Sequence, residues 1–521
     1  MENIERKIII NPTSITITNF NQPIEDDLEI DYKKLLNQLS VWGTTPYGGK
    51  IVKWKAYFIK ENDLIIHRGI NLYYIFNIFP TRYWDIIDNT EGTKCYANMG
   101  LEMKVQPREK LQEETIEFML NDDIPKIKFG DKVEISDINQ KFVCLKPGKG
   151  KTYCAINYIT KKNLLPIIIV DNNKILNQWK ESVFKFTNIK EEDIYIISGS
   201  DSIRKLLKQD NINYKIYFGS HRTFQSYSKE DLELLSELFL KIGVGIKIFD
   251  EAHVEWKSIF NIDIHTNVKY TIYLTATPKR SDQSEQAVYK RMFYDIRMFG
   301  LKESIKNDGK YIYYVECLWN SNPNSKDLSS MSNNYGFDSN RYNNYILEND
   351  ERFNKFTNNL YKLISLYNQK FDKPKIAIVV NCNNMIERLY NYFNSSENPE
   401  IAEMIKSNDI IIGQFCGLID KSKREKELDK DLILTTVKGF NKGVDVDKLQ
   451  ILINTVSISS EVIIEQLTGR LRYDENLKKY FIQFVDVGFN QCKQHAYYRN
   501  KFINNKIAKK SFIIDLEKEE D

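Results

Sequence analysis

Between residues 142 and 155 the chain reads FVCLKPGKGKTYCA, two glycines and a Lys-Thr pair set between an apolar run and a stretch compatible with a helix. Gly148 and Gly150 let the backbone turn its N–H groups toward a phosphate. Lys151 has the reach for a β- or γ-phosphate, and Thr152 puts a hydroxyl beside Mg²⁺ at a helix N-terminus. Pro147, Gly148, Lys149 and Gly150 form the wall of such a cradle, although Lys146 and Lys149 read equally well as exposed loop charges. The full P-loop pattern carries a further glycine five positions before Gly150, where this chain has Leu145. The chemistry expected of the stretch is ATP binding.

About 100 residues further on, IKIFDEAHV ends an apolar run on two carboxylates. At the carboxyl end of a strand, Asp250 can hold Mg²⁺ through its water shell, and Glu251 can polarise an attacking water. An Asp-Glu pair alone is an ordinary surface feature; following a Gly-Lys-Thr turn at this spacing, it belongs to phosphoryl chemistry. His253 reads as a coupling residue or as a polar group that is only satisfied. YLTATPKR places Thr275 and Thr277 at another strand end, again as coupling candidates. Late in the chain, IIEQLTGRLRY sets Arg470 four residues after Gln466, at what reads as a helix start, where a guanidinium can stabilise charge on a transferring phosphoryl group.

These residues need a scaffold that brings strand ends together. From about 142 to 278 the runs FVCL, PIIIVD, IYIIS, KIYF, IKIFD and TIYLTATP read as buried strands, separated by helical stretches such as NKILNQWKESVFKF and DLELLSELFLKI. That is the rhythm of a parallel sheet covered by helices. It recurs from about 375 to 486 in KIAIVV, DIIIGQF, DLILTT, LQILINT and YFIQFVDV, so two similar α/β domains are expected. Between them, the Asn- and Ser-rich residues 320 to 344 read as a linker. Residues 1 to 105 have another texture: KIVKWKAYFIK alternates like a strand, Trp42, Trp54 and Trp84 are read as clustering with tyrosines, and a separate small α+β or β-rich domain is expected. The end, CKQHAYYRNKFINNKIAKKSF, reads as a basic helix before an acidic tail.

At 521 residues the chain is long enough for two or three domains. Its 74 basic and 71 acidic residues nearly cancel, so any polyanion-binding track must be local. Seven cysteines without a C-x-x-C pair argue against a zinc ribbon or a disulfide framework. With no signal-peptide pattern and no apolar run of membrane-spanning length, an intracellular location away from membranes is expected, in the cytoplasm or a viral replication compartment.

Taken in order, KPGKGKT, DEAH, TAT and QLTGRLR resemble the superfamily 2 helicases, and within them the XPB-like branch of phage branch-migration and poxviral transcript-release helicases. The resemblance spans roughly residues 106 to 500. It implies that Gln112, in REKLQEETIEFML, lies on the adenine side, and that Asn172 and Asn173 touch the nucleic-acid strand. Ser220, His221 and Arg222, in IYFGSHRTF, would meet its phosphates, and Thr435 would join them from LTTVKGFNKGVDV. Gly443 and Asp445 in that last segment would lie at the interface linking nucleotide and strand. Two departures stand out. The family's Q-x-x-G-R-x-x-R would put its second arginine at Tyr473, whereas this chain offers Arg472, one place early; and Asp171 and Asn172 replace a usual Pro-Thr.

The expected architecture is therefore two tandem RecA-like domains, 106–305 and 346–521, joined by a 306–345 linker and preceded by an accessory domain of residues 1–105. ATP and Mg²⁺ are the expected cofactors, and nucleic acid, DNA ahead of RNA, is the expected partner of a monomeric motor. Replication, recombination or transcription proteins are the further partners this implies. The leading activity is a translocase on duplex or branched DNA, beside a transcript-release helicase and an ATP-gated clamp that does not unwind. Lys53 and Lys55, sharing one face of a strand opposite Trp54, are candidate phosphate contacts in the accessory region.

Overall fold

The computed structural model describes the chain outside residues 1–4, 25–30, 46–47, 93–99, 124–125, 130–132, 137, 147, 211, 226–230, 277–281, 301–309, 334–335, 395–402, 404, 406, 408–409, 442–443, 445, 475 and 519–521. It divides into two compact units, Met1–Ser304 and Ile305–Asp521.

In the first unit seven parallel strands run in the order Ile194–Ile197, Ile216–Ser220, Pro166–Val170, Ile246–Phe249, Tyr270–Thr275, Gln140–Cys144 and Arg297–Phe299. The continuous apolar run Pro166–Val170 is buried throughout because both faces of the sheet are covered. Ile167 and Ile169 enter one core and Ile168 and Val170 the opposite one, as alternating side chains must. Flanking helices begin where the sequence supplies caps: the Asn172 side chain accepts from the backbone N–H of Lys174 and Ile175 and starts the Asn173–Phe186 helix.

A second, mixed sheet of this unit runs Tyr57–Lys60, Asp63–His67, Ser14–Ile17, Lys7–Ile10, Asp85–Asp88. Its core is not its own. Ile8, Ile15, Leu64 and Trp84 belong to the same apolar cluster as Phe142, Trp256 and Tyr273 of the α/β layer. This sheet's apolar side chains finish their core on the neighbouring layer, as packed layers do, instead of around a private interior. A buried polar set ties the two. Asp263 accepts from Lys247 Nζ at 2.5 Å and from the Tyr273 hydroxyl at 2.6 Å, and lies 3.1 Å from His67 Nε2; Thr13 Oγ1 donates to the Asp263 carbonyl at 2.7 Å. Burial would push that carboxyl upward, but Lys247 and His67 outweigh it and hold Asp263 below the usual range. The three tryptophans do not cluster together: Trp84 packs on Phe79, Trp54 on Trp256 and Phe260, and Trp42 is 38% exposed.

The second unit repeats the plan, with parallel strands ordered Ile412–Phe415, Leu432–Thr436, Ile376–Val380, Ile451–Asn454, Lys479–Asp486, Ile312–Trp319 and Ala508–Asp515. Two of these differ from expectation. Ile312–Trp319, inside the stretch read as linker, is an almost wholly buried strand paired on both sides. The Asn, Ser and Asp residues after it do not make one long loop either, since Asn324 and Asp338 cap the helices Ser325–Ser330 and Ser339–Leu347. Residues that favour turns also favour helix starts, and composition does not separate the two roles. At the end of the chain the helix stops at Lys506, and AKKSF passes into the strand Ala508–Asp515. Among the described residues no helix is long and apolar enough to cross a membrane.

Candidate nucleotide site and strand contacts

The Gln140–Cys144 strand lies between Tyr270–Thr275 and Arg297–Phe299, and the backbone N–H of Leu145 still donates to the Thr275 carbonyl at 3.1 Å. Leu145, standing where a P-loop glycine is usual, sends its side chain into the core and is fully buried. The turn then closes through Lys149 N donating to Lys146 O, with Gly148 at φ 81° and Gly150 at φ 83°. Gly150 caps the Lys151–Lys162 helix, so the backbone N–H groups of its first turn are free of intrahelical partners and available to an anion. Lys151 Nζ donates to the Leu145 carbonyl at 3.0 Å, bridging the mouth of the turn, and Thr152 is half-buried beside it. Pro147 lies outside the described residues.

Gln112, on the Lys110–Leu120 helix, is fully buried against this turn. Its Oε1 accepts from Arg108 N at 2.9 Å, while its Nε2 is buried with no hydrogen-bond partner among the described residues. A buried unsatisfied donor is costly and suits the acceptor edge of a purine base. The contact also restricts Gly150, whose missing Cβ would sit 2.3 Å from Gln112 Nε2. Gly150→Ala adds a strained left-handed φ to that clash, about 1–2 kcal/mol for the conformation alone. ATP affinity is expected to fall roughly 10-fold or more, and titration with a fluorescent ATP analogue measures it; parent-like affinity would show that the turn does not hold the nucleotide.

Asp250 leaves the Ile246–Phe249 strand with its N–H on the Ile169 carbonyl. Its carboxylate accepts from Trp179 Nε1 at 2.8 Å and from the Glu251 N–H at 2.9 Å. Burial, followed by the neighbouring Glu251 charge, pushes the Asp250 carboxyl up to about 6, and Lys151 is near enough to oppose the shift. Glu251 has φ 50°, a conformation that costs a non-glycine residue energy and often marks a functional turn. His253 is buried, with Nδ1 2.7 Å from Thr275 Oγ1 and 3.5 Å from Glu251 Oε2. The Asp-Glu turn is thereby linked to the next strand end. Among the described residues no group of three His, Cys, Asp or Glu side chains could hold a metal ion; Thr152 and Asp250 suit Mg²⁺, which keeps most of its waters and takes phosphate oxygens. Trp179 and the Leu145 carbonyl were not anticipated, because nothing in their local sequence marks them.

Strand-contact candidates divide by exposure. Asn173 and Arg222 are exposed and Ser220 is half-buried. Asn172 is committed to its cap and to Asp171, at 2.9 Å from Asn172 Nδ2. Two candidates are corrected. His221 is buried, stacked on Phe249 and within 3.0 Å of Ser258 Oγ; Thr435 is buried and donates to the Phe415 carbonyl. Both strand-end side chains turn into the protein, leaving any surface contact to their neighbours. Lys53 and Lys55 are exposed, while Trp54 between them packs edge-on against Trp256 at 4.7 Å between ring centres.

In the second unit Gln466 sits on the Glu461–Thr468 helix. Arg470 follows that helix at its C-terminal end, not at a helix start as expected, because the chain turns at Gly469 and Leu471 is driven into the core. Its Nη1 donates to the Val444 carbonyl at 2.7 Å. Arg472 is exposed. Thr277, Gly443 and Asp445 lie outside the described residues.

Residues 109–280 match the family described as the type III restriction enzyme, res subunit. The chain is 21% identical over 384 residues to "Transcript termination protein A18" of Yaba monkey tumor virus, covering 70% of this chain and 71% of that protein. It is 25% identical over 360 residues to "Putative helicase 161L" of Invertebrate iridescent virus 6, covering 65% and 70% respectively. Among solved structures, S. cerevisiae Dbp5 bound to RNA and ADP BeF3 aligns over 78% of this chain and 90% of that one, at 15% identity and a TM-score of 0.48.

Proposed function

We propose that the chain, a superfamily 2 helicase that runs on ATP hydrolysis, is a translocase of the XPB-like branch acting on duplex or branched DNA. The observation that carries the proposal is the Gly150–Lys151–Thr152 turn beside Asp250 and Glu251 at the ends of strands in one sheet, linked through His253 to Thr275. On ATP binding, Lys151 would exchange the Leu145 carbonyl for a phosphate oxygen. Thr152 and Asp250 would hold Mg²⁺, which when bound neutralises phosphate charge. Glu251 would take the proton of the attacking water, Gln112 would face the base, and the Pro147–Gly150 turn, Lys149 included, would wrap the phosphates. Gln466 and Arg470 of the second unit would complete the site, with Gly443 and Asp445 relaying closure to the strand. His253 and the strand end at Thr275 and Thr277 would carry that signal within the first unit. Asn173, Ser220 and Arg222 would meet strand phosphates, contacts that carry little base specificity.

A second reading, transcript release, is favoured by the relatives named as transcript termination proteins. ATPase and strand-displacement rates on matched duplex DNA, branched DNA and RNA, together with release of RNA from a stalled transcription complex, separate the two. Stimulation by DNA with movement along it supports the proposal. Hydrolysis without displacement or movement leaves a clamp.

If Lys53 and Lys55 grip duplex, Lys53→Glu with Lys55→Glu is expected to weaken DNA-stimulated ATPase at limiting DNA, more so at lower salt, and to flatten the logarithmic salt dependence of binding by about 1.8, for two lost phosphate contacts. Binding isotherms at two salt concentrations test it. Unchanged affinity and slope in a folded variant would assign the lysine face to another role.

A further inference from the structure

From Val487 to Ile514 the chain has no Asp or Glu, and it carries Lys493, Arg499, Lys501, Lys506, Lys509 and Lys510. None of the motor roles uses this segment. It forms the Asn490–Lys506 helix and the edge strand Ala508–Asp515 of the second unit. The helix separates cleanly by face. Cys492, Ala496, Arg499, Phe502 and Ile503 are buried, whereas Lys493, Gln494, Tyr497, Tyr498, Lys501 and Asn505 are exposed. At 3.6 residues per turn these six exposed positions fall within an arc of about 140°.

Two of them are unusual for a solvated face. Tyr497 and Tyr498 are 67% and 62% exposed, with ring centres 5.6 Å apart. The lysines are uncompensated as well: Arg499 meets Glu316 at 3.9 Å inside the core, but among the described residues Lys493, Lys501, Lys506, Lys509 and Lys510 form no ion pair. The edge strand extends the patch, because Ser511 is hydrogen-bonded to Asn504 and Lys310 Nζ donates to the Asn504 carbonyl at 2.5 Å. Lys310, Lys509 and Lys510 are therefore continuous with the C-terminal end of the helix. An ordinary surface helix interleaves both signs of charge. A single-sign track with aromatics between the lysines is the footprint of a polyanion that also carries stackable rings.

We infer that this face binds a single nucleic-acid strand, Lys493 and Lys501 neutralising phosphates while Tyr497 and Tyr498 stack on bases. The inference rests on the nucleic-acid reading of the motor, but on none of its motif residues. Protein interfaces are depleted of lysine at their centre, whereas Lys501 lies between Tyr497 and Tyr498 on this helix face, which favours the strand over a protein partner, although Phe512 and Ile513 of the edge strand are exposed nearby. DNA and RNA share the chemistry, and parallel arms separate them.

The test is anisotropy of labelled oligo(dT) and oligo(U) with the full chain, without nucleotide, across a salt series. Lys493→Glu with Lys501→Glu is expected to weaken binding roughly 10-fold and to flatten the logarithmic salt slope by about 1.4, two single-strand phosphate contacts. Tyr497→Ala with Tyr498→Ala is expected to weaken binding roughly 10-fold or more at an unchanged slope, since stacking releases no counterions. A charge-matched control, Lys326→Glu with Lys362→Glu, is expected to stay within about twofold of the parent, as contacts outside the track carry no phosphate. Loss on one polymer only identifies the strand; loss on both identifies the shared chemistry. An equal loss in the control, or unchanged affinity in both test variants with parent-like melting temperatures, would overturn the inference and leave the face to a protein partner. A parent chain that binds neither oligomer would overturn the inference alone, since the motor reading is tested separately on duplex and branched DNA.

Discussion

Glu251→Gln is expected to bind ATP as the parent chain does and to hydrolyse it roughly 10²- to 10⁴-fold more slowly. The amide keeps the shape of the side chain and can keep the approach to His253, 3.5 Å away in the parent, so binding and the His253–Thr275 link persist. What it loses is the ability to accept a proton from the attacking water. Lys151→Ala is expected to act earlier: removing the ammonium takes away the cation facing the phosphates, and ATP binding fails with turnover. The two variants therefore separate on a plot of bound nucleotide against phosphate release. Parent-like phosphate release from Glu251→Gln would remove Glu251 as the base, and parent-like turnover in the double variant would remove the whole site.

Arg470→Ala is expected to cost about 10³-fold in hydrolysis, on the scale of arginines that stabilise a transferring phosphoryl group, and Arg472→Ala is expected to cost less. Their surroundings differ. Arg470 is held on the Val444 carbonyl at 2.7 Å, next to the segment expected to relay closure, whereas Arg472 is exposed and Tyr473 after it is 64% exposed, edge-on to Tyr311. The substitution removes charge that counts only when phosphate charge develops, so single-turnover hydrolysis should fall while ATP binding changes little. Equal losses in the two variants would mean that the arginine register is misassigned. Tyr473→Arg is not expected to rescue either one.

Local chemistry and local elements were legible in the amino-acid order. A Gly-Lys-Thr turn needs no distant residue to be recognised, because its glycines, lysine and hydroxyl all lie within one turn of backbone. Each strand read from 142 to 278 and from 375 to 486 is a strand in the structure, since a run such as PIIIV must be buried on both faces and only a covered parallel sheet does that at this length. The helix Asn173–Phe186 was legible from its apolar stripe, whereas the capping role of Asn172, read as a strand contact, emerged only from the structure.

Features that depend on partners far apart in the chain were set by the fold as a whole. Ile312–Trp319 sits beside an Asn- and Ser-rich stretch, and its place between Lys479–Asp486 and Ala508–Asp515 is set by pairing across more than a hundred residues, which no local pattern encodes. The N-terminal sheet shares a core with the first α/β layer because His67 and Thr13 meet Asp263 there, residues about 200 or more positions apart. Exposure was decided in the same way. His221 and Thr435 carry the right side chains at the right strand ends, yet packing turns both inward. Side-chain type and spacing state which chemistry is possible; which atoms face water depends on how the sheet is covered, a property of the whole fold.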